Sequence, residues 1–138
     1  MSLKPFISFE QAQAAMKAII EDVTKPGGMP VAVSIVDDAG NMVAYAQMDN
    51  VRLYARRHAF RKAYTASVMG MDTGPHGEQL KERGRTVSDY GDPNLTPGIG
   101  GVVVRSRDGV IMGGIGVGGW LERDEELAKI GLNAMIVE

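Results

Sequence analysis

The sequence predicts an α+β fold in which an antiparallel sheet carries helices on its faces. Three observations lead there. Segments with helical apolar spacing and segments rich in β-branched residues succeed one another in the order α-ββ-α-(α)-loop-ββ-α. The strands come in pairs joined by short turns, which makes hairpins rather than parallel crossovers. The chain of 138 residues suits a single domain, 1–138, with one core.

Ser8 followed by Gln11 is a capping-box pattern that opens the first helix. Ala12, Met16, Ile19, Ile20 and Val23 give it one apolar face, and Lys25-Pro26-Gly27-Gly28 ends it. Val31 to Asp37 alternates only weakly and reads as a strand covered on both sides. Asp38-Ala39-Gly40-Asn41 is a turn, with Asp37 and Asp38 as turn residues, and Met42 to Met48 is the returning strand. Arg52 to Met69 reads as a helix with Leu53, Phe60, Ala63, Tyr64 and Ser67 as its stripe. After the break at Gly70 to Pro75, His76 to Arg83 has the makings of one or two helical turns. Thr86 to Pro97, polar and holding Gly91 and Pro93, is a long loop of the kind that usually carries function. Gly101 to Val104 and Val110 to Val117 are two strands around Asp108-Gly109, and Glu122 to Val137 is the last helix.

Composition excludes several classes of function. There is no cysteine, hence no disulfide, thiolate metal site, iron–sulfur cluster or cysteine nucleophile. A net charge of −2 offers no general attraction to nucleic acid or anionic lipid. No apolar run is long enough to span a membrane, and Glu10, Glu21 and Asp22 argue against a signal peptide. A cytoplasmic protein acting on a small molecule is the expectation. Glycine is the outlier at 18 residues, where average usage of roughly 7 % would give about 10. Nine of them lie between Gly98 and Gly119, so the excess is local architecture.

Gly114-x-Gly116-x-x-Gly119 has dinucleotide-fingerprint spacing, but the context is wrong. Too little chain follows for a β-α-β unit, and Glu122, Asp124, Glu125 and Glu126 would repel a pyrophosphate from the next helix. The plainer reading is close packing of the strand on a helix, a ligand or another subunit. Arg52, Arg56, Arg57, His58, Arg61 and Lys62 concentrate positive charge on one helix, with Tyr54, His58, Arg61, Lys62 and Thr65 on a shared face. Arginine suits bidentate carboxylate recognition, so a small anionic ligand is the candidate. His58 and His76 are the two histidines and lack metal-triad spacing, which excludes a three-histidine zinc site. One axial histidine suffices for haem, and His76, read as sterically free in Gly74-Pro75-His76-Gly77, is the candidate iron ligand.

Several segments together resemble the GlcG/HbpS-like family, the haem-degrading domain also found at the C-terminal end of PduO-type corrinoid proteins. They are the hairpin Val31 to Gly40 with Met48-Asp49, the helical Lys62-Ala63-Tyr64-Thr65-Ala66, and Gly100-Gly101-Val102, Ile115-Gly116-Val117 and Asp124 to Ala128. The resemblance covers roughly residues 8 to 135. It implies a profilin-like sandwich with a five-stranded antiparallel sheet and helices on both faces, assembled as a homo-oligomer. It also implies a haem or corrinoid ligand near the Lys62 helix and the glycine-rich strand. Gly118 stands where the family usually has serine, Val103 where it has proline, and no histidine precedes His58.

Two functions follow as expectations. One is binding, with or without degradation, of haem or a related tetrapyrrole. The other is a catabolic lyase, deaminase or isomerase acting on a small carboxylated aromatic or hydroxy acid, such as a hydroxylaminobenzoate-type intermediate. In that second case Arg56, Arg57 or Arg61 holds the carboxylate, with Thr65, Gly116, Gly118 and Gly119 lining the ligand. His58, Lys62 and Tyr64 are the acid–base candidates.

Overall fold

In the computed structural model, residues 4–135 are described, and they build a four-stranded antiparallel sheet between two helical layers. Helix α1 (Phe9–Val23) starts at the capping box read from the sequence: Gln11 N–H donates to Ser8 Oγ at 3.1 Å, and Ser8 N–H donates to Gln11 Oε1 at 2.8 Å. Strands β1 (Ala32–Asp37) and β2 (Met42–Gln47) form the first hairpin. Asp37 accepts the Ala39 and Asn41 N–H groups through Oδ1, which is how the turn closes. Helix α2 (Leu53–Met69) ends at Gly70 in the left-handed conformation and is followed by α3 (Thr73–Glu82). A short 3₁₀ helix (Val87–Tyr90) lies inside the stretch expected to be wholly loop. Strands β3 (Gly101–Arg105) and β4 (Ile111–Gly118) make the second hairpin, and α4 (Asp124–Ala134) closes the fold.

The sheet order is β2-β1-β4-β3, so the two hairpins join through β1 and β4, with Ala32 opposite Gly118 and Ile35 opposite Ile115. One face packs on α1 and α4, where Ile19, Ile35, Val33, Val102, Val117 and Leu127 form the main core. The other face packs on α2. β1 is buried along almost its whole length, as its unalternating pattern requires.

Three expectations need correction. The sheet has four strands, not five. The fifth was implied by resemblance alone, and the chain between α3 and β3 is broken by Pro93 and Pro97, which an interior strand does not tolerate. The buried stripe of α2 is made by Ala55, Ala59, Ala63 and Ala66, while Leu53 is 63 % exposed. Glycine explains this: a Cβ on Gly118, Gly116 or Gly114 would lie 2.4, 2.0 or 2.3 Å from the carbonyl oxygens of Ala55, Ala59 and Ala63. Helix and strand touch backbone to backbone, leaving room only for small residues. Of the partners the sequence leaves open for this strand, the helix takes it, and β4 is buried within one chain from Met112 to Val117. The last helix runs from Asp124 rather than Glu122, and its expected end at Val137 lies outside the described residues.

Candidate functional site

A cavity of about 170 Å³ opens where the first half of α2 crosses the end of β4. Tyr54, His58 and Lys62, four residues apart on α2, form one wall. Gly98 and Ile99 form a second, and Gly118, Gly119, Leu121 and Asp124 the third. The side-chain rings of Tyr54 and His58 meet edge to face, with centroids 5.4 Å apart and planes at 78°.

Lys62 is the floor. Its Nζ donates to Val117 O at 2.9 Å and to Asp124 Oδ2 at 3.0 Å, and both side chains of this pair are almost wholly buried. Asp124 also accepts the Trp120 N–H through Oδ1 at 2.9 Å, tying the exit of β4 to the start of α4. Gly100, at φ +130°, leaves the space above the ammonium clear: a Cβ there would lie 3.0 Å from Lys62 Nζ and 2.9 Å from Val117 O. The cavity floor is therefore charge-balanced, one ammonium against one carboxylate. His58 stands above it with its pKa pushed below the ordinary imidazole value, first by burial and then by the Lys62 and Arg61 cations. Near neutral pH it is an uncharged imidazole with a free lone pair, suited to accept a proton or to bind a metal.

The expected site residues divide between several places. His58, Lys62, Gly118 and Gly119 line this cavity. Arg56, Arg57 and Arg61 do not; they edge a separate groove on the side of α2 that faces β2. Thr65 is buried and committed, donating to Arg61 O at 2.7 Å and accepting the Thr96 N–H at 3.0 Å. Gly116 is sealed beneath Ala59. Tyr64 lies away from the cavity and donates to Asp92 Oδ2 at 2.6 Å, which holds the phenol pKa above and the Asp92 pKa below their usual values. His76 is not free on a loop. It sits in α3 at 4 % exposure, its ring 6.4 Å from that of Tyr90, with Nδ1 buried and unpartnered and its pKa lowered by burial. No group of three metal-ligating side chains occurs among the described residues.

Asp124, Ile99 and Leu121 escaped the sequence reading. For Asp124 a signal existed. Lys62 lies within the stripe of Ala59, Ala63 and Ala66, and a lysine placed there needs a buried carboxylate. In the sequence Asp124 stands out only as one of four acidic residues at the start of the last helix.

Comparison with known proteins agrees with this architecture. The family described as "Haem degrading protein HbpS-like" matches residues 7–133. Protein GlcG of Escherichia coli (strain K12) is 32 % identical over 117 residues, which is 85 % of this chain and 84 % of that protein. A double mutant of Streptomyces reticuli HbpS superposes with a TM-score of 0.85 at 26 % identity, over 98 % of this chain and 90 % of that one. The crystal structure of a PduOC:haem complex does so with a TM-score of 0.85 at 26 % identity, over 97 % and 98 %. Because the match runs from the residue before the α1 cap into α4, and so takes in every wall of the His58 cavity, the chain belongs to the HbpS-like family.

Proposed function

We propose that this protein binds haem or a related tetrapyrrole at the mouth of the His58 cavity, with the His58 imidazole as the iron ligand. The observation that carries the reading is the contrast between its two histidines. His58 opens into a cavity, whereas His76 is buried in α3. The cavity is too small to enclose a macrocycle, since drug-sized ligands already take roughly 300–1,000 Å³. The rim supplies what the interior lacks: Tyr54 is 60 %, Ile99 48 % and Leu121 70 % exposed, an apolar margin continuous with the His58 wall. These residues fit a tetrapyrrole lying against the mouth. When bound, haem supplies an iron centre for redox or gas-ligand chemistry, and the chain's part is to hold it and keep the imidazole unprotonated. The haem complex among the relatives of this fold supports the same ligand class.

The test is a haem titration followed at the Soret band for wild type, His58→Ala and His76→Ala. Wild type and His76→Ala are expected to give the same spectrum, and His58→Ala a shifted, weaker one. Equal spectra for wild type and His58→Ala would remove the proposal.

The cavity volume favours a second reading, a lyase, deaminase or isomerase acting on a small molecule. Here His58 would be the acid or base and Lys62 a hydrogen-bond donor to substrate oxygen. Replacing His58 by Ala should then lower turnover by about 10²–10⁴-fold. Arg56, Arg57 and Arg61 would not hold that substrate at the His58 cavity, because they open onto the other side of the helix.

A further inference from the structure

The groove those arginines edge is the larger of the two, about 410 Å³, and lies between α2 and the outer strand β2, with Asn94 at one end. It shares no lining residue with the His58 cavity. Its charge is uncompensated. Where Lys62 is balanced by Asp124, none of Arg56, Arg57 and Arg61 forms an ion pair among the described residues. Arg56 adds a second anomaly: its Nη2 donates to Val51 O at 3.2 Å, but its Nε is buried without any partner. A buried donor left unpaired is costly and rare, and here it accompanies two neighbouring guanidinium groups that carry no ion pair among the described residues. Beside the polar Gln47, the remaining lining is aromatic and apolar: Tyr45 and Phe60, with Met42 and Leu53 exposed. The Tyr45 hydroxyl is turned to Gln47 Oε1, at 2.9 Å, so its hydrogen is already engaged.

From this arrangement we infer a second ligand site, independent of the His58 cavity, that takes a small planar carboxylate carried on an aromatic ring. The volume lies in the range of ordinary small-molecule sites. The guanidinium fork matches two carboxylate oxygens, and its flat face, with Phe60 and Tyr45, accepts the ring. A carboxylate is preferred here over the His58 cavity because, of the two sites, this one leaves its positive charge unneutralised among the described residues. The inference does not depend on haem binding, since no residue is common to the two sites.

The experiment titrates benzoate, benzamide and inorganic phosphate in turn into isotope-labelled protein and follows the backbone amides by NMR. Benzoate is expected to shift the amides of β2 and of Arg56 to Arg61. Benzamide, equal in shape but uncharged, and phosphate, charged but without a ring, should each bind at least tenfold more weakly. Arg56→Gln and Arg61→Gln should each weaken benzoate binding by tens-fold or more, and Arg61→Lys should recover only part of it. Arg56 also supports Val51, so Arg61→Gln is the decisive variant if Arg56→Gln fails to fold. His58→Ala should bind benzoate as wild type does, even if it has lost haem. Four results would overturn the site: benzoate shifts centred on His58 and Leu121, phosphate binding as well as benzoate, full affinity in Arg61→Gln, or a groove silent to benzoate because a second copy covers it in solution.

Discussion

Gly116→Ala adds one methyl group to the centre of the sheet. The structure places the new Cβ 2.0 Å from Ala59 O and 2.5 Å from Ala63 N. These are backbone atoms of a helix, so no side-chain rotation relieves the overlap, and α2 must lift from β4 by roughly 1 Å over several residues. Forcing an extra methylene into a packed core typically costs about 1–3 kcal/mol, and a backbone obstacle belongs at the upper end. For a domain of this length each kcal/mol moves the melting temperature by about 3–5 °C, which gives a fall of about 10 °C. Thermal unfolding followed by circular dichroism reads this directly. Gly84→Ala is the comparator. Nothing lies within 4 Å of a Cβ there, but its φ of +65° makes alanine pay a backbone cost of about 1–2 kcal/mol. The double variant Ala59→Gly/Gly116→Ala isolates the cause. Removing the Ala59 methyl does not move its carbonyl, so stability should not return. A loss smaller than that of Gly84→Ala, or rescue by Ala59→Gly, would refute backbone contact as the reason for glycine at this position.

Other consequences are as open to measurement. Lys62→Met leaves the Asp124 carboxylate buried without its cation and should destabilise by about 3–5 kcal/mol in urea unfolding, while Lys62→Met/Asp124→Leu should recover much of it; a single variant as stable as wild type would refute the pairing. His58 and His76 both have pKa values held below the ordinary 6.5 by burial, so the unfolded chain binds more protons just under that pH. Stability should therefore fall as pH drops from 7.5 to 5.5, and His58→Asn/His76→Asn should flatten the profile; an unchanged slope would show that other groups set it. Tyr64→Phe removes the bond to Asp92 that tethers the 86–97 segment, so amides from Asn94 to Thr96 should exchange faster with little change in α1 or β1.

What could be read from the sequence depended on how local the signal was. The Ser8 cap, the Asp37 turn and the unbroken burial of β1 are each written within a few residues, and each is present as expected. The glycine cluster was legible as close packing, but not the partner, because which helix covers β4 depends on sheet order. The arginines and His58 were legible as a charged helix surface. Their division came from helical rotation: Arg57 and His58 are neighbours in the chain yet open onto different cavities. The glycines and proline that flank His76 look like a loop, whereas Thr73–Glu82 is helical with Pro75 in its first turn, where a missing N–H costs nothing.

The order β2-β1-β4-β3 also bears on how the chain reaches its native state. Each hairpin closes over a short loop and can form early and alone. The seam between them pairs Ala32 with Gly118, across most of the chain, and its loop-closure entropy is met before the contacts reward it. That seam is expected to form late and to set the folding rate. The His58 cavity draws its walls from α2, from Gly98–Ile99 and from the end of β4, so it exists only once the seam has closed. Recovery of ligand binding during refolding should then lag behind hairpin formation and coincide with protection of the β1 and β4 amides, making occupancy of the cavity a clock for the last step of folding.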